Sequence, residues 1–192
     1  MATTLIRPEA PTVAPFRWTV EAFDRLPDDL FPKGIHAELI DGQIYTPMGQ
    51  GNAHIIAVQL VFRALYAAYG PDFNLSMGLP VTIGDNKPEP DVRVLRGKIE
   101  DYDGHDPDPA AEIALVVEVS QTSLNYDLGP KLAMYAAAGV PEYWILDLAS
   151  RAMQVCRDPE RDVYRDTVVF REGESVMANG AKIEIAALLP RA

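Results

Sequence analysis

The period of apolar and polar positions changes several times along this chain, and each change marks an element. Thr19-Val-Glu-Ala-Phe-Asp-Arg-Leu26 opens on a capping residue and predicts a short helix. From His36 to Thr46 apolar and polar residues alternate about Asp41-Gly42, the pattern of a β-hairpin closed by a type I′ turn. Ala53 to Tyr69 predicts a long helix capped by Asn52. Its Ile55, Ile56, Val58, Leu60, Val61, Phe62 and Leu65 cover much of the circumference, so extensive burial is expected. Short strands follow at Asn74–Met77 and Leu79–Ile83, with a turn at Gly84-Asp85-Asn86. A further strand, Asp91–Leu95, is entered through Pro90, where a missing N–H is tolerated. Gly97–Glu112, rich in Asp and Pro, reads as a solvated loop. Ala114–Ser120 is apolar except for Glu118 and Ser120 and predicts the buried central strand. Asp127–Ala138 predicts a helix with Pro130 in its first turn and Gly139 as its C-cap. Glu142–Leu148 is another strand, and runs at Met153–Cys156, Val163–Phe170 and Lys182–Ile185 predict a C-terminal antiparallel meander. The alternation of elements predicts an α/β protein, an α+β mixed sheet with flanking helices. Residues 1–15 are expected to form a flexible lead-in and residues 16–192 a single domain.

Composition narrows the class. At 192 residues, 48% hydrophobic and 23% charged, the chain is long enough for a sizeable core and ordinary for a globular protein. No apolar run approaches the ~20 residues of a membrane span, so no membrane partner is expected. Cys156 is the only cysteine, which excludes a disulfide framework and a cysteine-rich zinc site. A cytoplasmic location is the default expectation. The formal net charge of −11 argues against broad nucleic-acid binding, which draws on Lys and Arg, but leaves room for a local basic patch. It also suits a metal site, because clustered carboxylates need a cation.

Two acids stand out against this pattern. Glu118 lies near the end of an apolar strand, and Glu is rarely buried there unless it is paired or holds a metal. Alternation puts Glu118 with Val116 and Ser120 on one face, and Val117 with Val119 on the other. Asp91 opens its own strand behind the stiff Pro88-Glu89-Pro90 segment. If the two strands are neighbours, the carboxylates meet and offer the hard oxygen ligands that magnesium prefers. The plain alternative is a strand-end Glu paired with an Arg, and a Pro-Glu-Pro-Asp that is only a turn. Lys131, on the helix after Glu118, can reach back to the strand rim and offset phosphate charge or hold a water. It can equally form an i,i+4 ion pair with Asp127. Glu38 either adds a ligand from the hairpin or is a solvated strand residue. His54 either faces a phosphate or moves a proton, or is a surface or capping group. His36 and His105 belong to no constellation, and Trp18, Trp144 and Tyr143 read as core or interface aromatics. Gly49-Gln50-Gly51 lacks the Gly-Lys-Ser/Thr ending of a phosphate loop and is taken as a flexible lead into the helix. No Gly-x-Ser-x-Gly or Cys/His pair suggests nucleophilic catalysis.

Taken together, these residues resemble a known family. Glu38-Leu-Ile-Asp-Gly42, His54 in a helix, Pro90-Asp91-Val92, Val116-Val-Glu-Val-Ser120, Asp127-x-x-x-Lys131 and Gly139-Val-Pro-Glu-Tyr-Trp-Ile-Leu-Asp147 are similar to the Uma-type restriction endonucleases of the PD-(D/E)XK nuclease superfamily. The likeness runs from about Trp18 to the C-terminus. It implies a restriction-endonuclease-like core with αβββαβ connectivity. It implies that Asp91 and Glu118, with the backbone carbonyl of Val119, hold Mg2+ or Mn2+, and that Glu38 contributes an acid from an earlier element. Ser120 occupies the position of the motif lysine, and Lys131 matches a lysine relocated to the next helix. His54, Ser120 and Asp127 are accessory candidates. The implied activity is a Mg-dependent endodeoxyribonuclease acting on DNA, in a homodimer whose two sites cut the two strands. The alternative is a catalytically silent nuclease-fold domain that binds or scaffolds.

Overall fold

The computed structural model describes residues 15–27, 29–46 and 51–191. Thr19 caps helix α1 (Val20–Phe23), its hydroxyl accepting from the Ala22 N–H at 3.2 Å. Strands β1 (Glu38–Ile40) and β2 (Gln43–Tyr45) pair as the expected hairpin. Asp41 and Gly42 both take positive φ, 48° and 69°, as a type I′ turn requires.

Helix α2 (Asn52–Tyr69) starts one residue earlier than expected, with Gly51 rather than Asn52 at the N-cap. Its burial is also narrower. The buried row is His54, Ala57, Val61 and Leu65, spaced three and four apart, while Ile55, Ile56 and Tyr66 are exposed. Val58 and Phe62 are partly buried and pack against the edge of the core.

The central sheet has six strands in the order β3-β4-β5-β6-β7-β8: β3 (Phe73–Met77), β4 (Val92–Arg96), β5 (Ile113–Ser120), β6 (Glu142–Asp147), β7 (Ala152–Glu160) and β8 (Val163–Arg171). Every pairing is antiparallel except β5 with β6. That parallel pair needs a crossover, supplied by α3 (Leu124–Tyr126), a π turn (Asp127–Lys131) and α4 (Leu132–Ala137). Helix α2, strands β3 to β5, the crossover and β6 give the αβββαβ core. Strands β9 (Ser175–Ala178) and β10 (Ala181–Glu184) form a separate antiparallel hairpin that completes the C-terminal meander.

The sheet has a core on each face. Val117, Val119 and Trp144 pack with α2 and the β9–β10 hairpin. Val116, Tyr143 and Ile145 pack with Met134 and Tyr135 of α4 and Ile40 of the first hairpin. The expected alternation in β5 is therefore realised, with Glu118 on the α4 side.

Two expected elements differ. Leu79–Ile83 is not a strand: the Val81 N–H bonds to Pro88 O and the Ile83 N–H to Asn86 O, so the segment folds on itself while Val81 and Ile83 enter the core. The Asp127–Ala138 helix starts at Leu124, and Pro130 sits in the π turn rather than in a first turn. Proline has no N–H to give to the residue four back, and its ring crowds that carbonyl. The chain widens instead, so that the Leu132 N–H reaches five residues back to Asp127 O.

Candidate active site

The site forms where β4 begins and β5 continues past it. Val92 pairs with Val117, so the ladder stops short of Val119. The Val119 N–H, left without a strand partner, donates to Asp91 Oδ2 at 2.7 Å. His54 Nε2 meets the same oxygen at 3.2 Å from the first turn of α2. In a strand the N–H and C=O of one residue point to the same side, so the Val119 carbonyl also faces the Asp91 edge.

On the other face Glu118 is 3% exposed and Lys131 is 4% exposed. Glu118 Oε1 accepts from Lys131 Nζ at 2.9 Å and from the Tyr135 hydroxyl at 3.2 Å. Lys131 Nζ also lies 2.8 Å from Glu38 Oε1. Glu38 has donors on both oxygens: the Glu89 N–H donates to Oε1 at 2.7 Å and the Tyr126 hydroxyl to Oε2 at 3.1 Å. The i,i+4 alternative for Lys131 is not what forms. Asp127 instead accepts from the hydroxyls of Ser120 and Ser123, both at 2.6 Å. A π turn makes four residues less than one full turn, which separates the two side chains. Glu38, Glu118, Tyr126, Asp127 and Lys131 line a cleft of about 430 Å³ together with His36, Glu89 and Gln121.

Burial, followed by the negative charges of Asp91, Asp127 and Glu38, pushes the Glu118 carboxyl well above its usual range; Lys131 opposes this. Burial works against the charge on Lys131, but Glu118, Glu38 and Asp127 outweigh it and hold the ammonium well above the usual lysine range. Burial raises Asp127 as well, against the pull of Lys131 and of its two serine donors. Tyr126 and Tyr135 are raised, first by burial, and remain hydroxyl donors.

Asp91, Glu118, Lys131, Glu38, Val119, His54 and Asp127 thus all line one cleft, and Ser120 is buried behind it on Asp127. Sequence reasoning missed Tyr126 and Tyr135, which resemble core aromatics until their hydroxyls are placed. It also missed the pair of His36 and Glu89, 3.0 Å apart at the cleft wall. Residues 49 and 50 of the Gly-Gln-Gly segment lie outside the described residues.

The donor chemistry suits a hard divalent cation. Asp91 Oδ1 and Glu118 Oε2 take part in no hydrogen bond among the described residues, and neither is a sealed, orphaned atom. Two carboxylate oxygens and one carbonyl are the kind of set that Mg2+ accepts, with water completing the shell. Among the described residues no group of three or more His, Cys, Asp and Glu side chains is placed to hold a metal ion, so the candidate set is two carboxylates with the Val119 carbonyl and water. The four acids around one lysine leave an excess of negative charge for a cation to neutralise.

A pH effect follows. Because Glu118 is raised in the folded protein, the metal-free native state gains stability from the bound proton at low pH and loses it as pH rises through the raised value. Cation affinity should run the opposite way, rising with pH as the proton leaves Glu118. Titrations of Mn2+ in buffers of different ionisation enthalpy read that proton release. Glu118→Gln should abolish it, and an uptake without proton release at the lower pH would contradict the assignment.

A mixed sheet flanked by helices, with an acidic cleft around one buried lysine at the end of its central strand, defines an α/β protein. The family model described as Uma2, "Putative restriction endonuclease", matches residues 20–188. The chain belongs to the Uma2 family. A crystal structure described as "a putative nuclease belonging to DUF820 from Anabaena variabilis ATCC 29413" is similar in fold. Its TM-score is 0.67 at 19% sequence identity, over 88% of this chain and 96% of that one. No curated protein gives a significant match. Among the described residues no helix is long and apolar enough to cross a membrane.

Proposed function

We propose that the protein is a divalent-cation-dependent DNA endonuclease that hydrolyses phosphodiester bonds, with Asp91 and Glu118 as cation ligands and Lys131 as the charged group beside them. The observation that carries this reading is one cleft lined by Asp91, held on the Val119 N–H, and by Glu118, the preceding residue of the same strand, with a buried lysine on Glu118. Membership of a family described as "Putative restriction endonuclease" supports it. Asp91 Oδ1, Glu118 Oε2 and the Val119 carbonyl would hold Mg2+ or Mn2+. Bound there, such an ion acidifies a water and neutralises charge on the scissile phosphate.

The protein's own groups have separate tasks. Lys131, kept as an ammonium, is a poor base; it fixes Glu118 and brings positive charge to the wall that the phosphate faces. Glu38 spends both oxygens on other donors and anchors Lys131 rather than ligating. Asp127, tied to Ser120 and Ser123, fixes the end of β5 against the π turn. Cutting both strands of a duplex favours a homodimer with two-fold-related sites.

A second reading has an observation of its own. Among the described residues lining the cleft Lys131 is the one lysine, no arginine is present, and Glu38, Glu89, Asp91, Glu118 and Asp127 are acidic. Such a wall repels a phosphate backbone unless a cation intervenes, as a catalytically silent domain would. Supercoiled plasmid incubated with wild-type protein and Mn2+ or Mg2+ separates the two. The nuclease reading expects nicked and linear DNA that EDTA prevents. Intact plasmid with both metals would leave the silent domain as the better account.

The same reading expects Mn2+ to stabilise the fold, by roughly 2.7 kcal/mol at a hundred times its dissociation constant. Thermal melting reads this directly. A melting point that Mn2+ raises equally in Asp91→Asn would show that the ion binds elsewhere.

A further inference from the structure

We infer that His54 is a positioning residue for Asp91: its Nε2–H, with the Val119 N–H, fixes Asp91 Oδ2 and so turns Oδ1 toward the cleft. This rests on the cation reading of the site above. The geometry is that of a carboxylate held by one oxygen and offered by the other. Val119 N and His54 Nε2 lie 2.7 Å and 3.2 Å from Oδ2, and they approach from different elements, β5 and α2. Two donors on one oxygen remove the carboxylate's rotational freedom, which a single donor does not. A carboxylate only accepts, so Nε2 carries the proton of this bond. Glu118 is held in the same way, with Lys131 and Tyr135 both on Oε1. The two ligands are therefore matched, each pinned on one oxygen by two donors.

The other ring nitrogen indicates why a histidine is there. His54 is 7% exposed and occupies the row that Ala57, Val61 and Leu65 fill farther along α2, where an apolar residue would pack without cost. Among the described residues, His54 Nδ1 is the one sealed side-chain N or O atom without a hydrogen-bond partner. An orphaned buried polar atom costs stability, and in native proteins it calls for an explanation other than packing. The contact with Asp91 supplies it. A residue kept for stability would not leave one nitrogen stranded; a residue kept to orient a ligand can.

The stability cost and the positioning role give opposite signs in one experiment. Mn2+ is titrated calorimetrically into the full-length wild type, His54→Leu and His54→Gln, and the metal-free proteins are melted. His54→Leu should melt within a few degrees of wild type or above it, because the lost hydrogen bond is offset by removal of the orphan. It should bind Mn2+ roughly 10- to 100-fold more weakly, the usual loss when a ligand's outer partner is removed. His54→Gln, whose amide nitrogen reaches where Nε2 lies, should recover most of that affinity. In metal-free wild type the 15N-edited imidazole signal of His54 should move on Asp91→Asn, which reports the pair without any ion. Mn2+ affinity unchanged in His54→Leu overturns the inference. So does a large drop in its melting point, which would make His54 a fold residue, or a glutamine variant no better than leucine. Wild-type protein that takes up no Mn2+ removes the cation reading itself and this role with it. Uptake that His54→Leu leaves intact removes the role of His54 alone.

Discussion

Replacing Lys131 with Met should cost the fold about 3–5 kcal/mol, the range for removing one partner of a buried ion pair. Among the described residues Lys131 is the sole cation within reach of Glu118 and Glu38, at 2.9 Å and 2.8 Å, and all three side chains are almost fully buried. Without it two carboxylates face each other out of water. One of them then takes up a proton, so the loss should grow as pH rises. Urea unfolding at acidic and alkaline pH measures both features. Adding Glu118→Gln to Lys131→Met should return part of the lost stability, since the double variant no longer buries an unpaired acid. A Lys131→Met protein as stable as wild type, with no change in its pH dependence, would mean that the Glu38–Lys131–Glu118 arrangement does not hold in solution.

The second large effect concerns Asp91 and Glu118. Asp91→Asn and Glu118→Gln keep the shape of each side chain and remove its charge. Each should weaken Mn2+ binding by more than ~100-fold, beyond the 10–100-fold typical of an outer partner. Their stabilities should diverge. Glu118→Gln relieves a carboxyl that burial and three neighbouring acids already disfavour, so its cost at neutral pH should be partly offset. It also leaves Lys131 with Glu38 for company. Asp91→Asn loses the acceptor that satisfies the Val119 N–H unless the amide oxygen turns toward it. Calorimetric titration with paired melting curves separates lost ligation from lost folding. Mn2+ binding to Glu118→Gln at wild-type strength would remove Glu118 from the ligand set.

Much of this was legible in the chain, and the reasons are local. Asp41-Gly42 determines its own hairpin because few residue pairs accept two positive φ values in succession. The apolar run with Glu118 in it announced both the central strand and its odd acid, and Pro90 directed Asp91 toward that strand. Lys131 is a candidate from its place on the helix after Glu118, and its role as a relocated lysine comes from the family resemblance. Its partners were not legible, because they depend on a π turn. Pro130 four residues from the helix start looks like an ordinary first-turn proline, and only the extra turn of chain before it converts the same residue into a widening device. Tyr126 and Tyr135 were hidden for another reason: a phenol ring packs as an apolar group, and its hydroxyl partner is a property of the fold, not of neighbouring residues. His54 carried a readable signal that spacing alone exposes. It stands in register with Ala57, Val61 and Leu65, so a polar group had to lie in the buried row.

A net charge of −11 and an acidic cleft are compatible with the proposed nuclease activity only if a bound cation offsets them. Glu38, Glu89, Asp91, Glu118 and Asp127 repel phosphate when the site holds no cation. Activity should therefore be switched by divalent cation rather than merely accelerated by it. The most direct measurement is cleavage of supercoiled plasmid by wild type and Glu118→Gln side by side, with Mn2+ and with EDTA. Wild type with Mn2+ should nick and linearise the plasmid, while EDTA and Glu118→Gln should each leave it supercoiled. Plasmid left intact by the wild type in Mn2+, or cut equally by Glu118→Gln, would contradict a cation-dependent nuclease centred on Glu118.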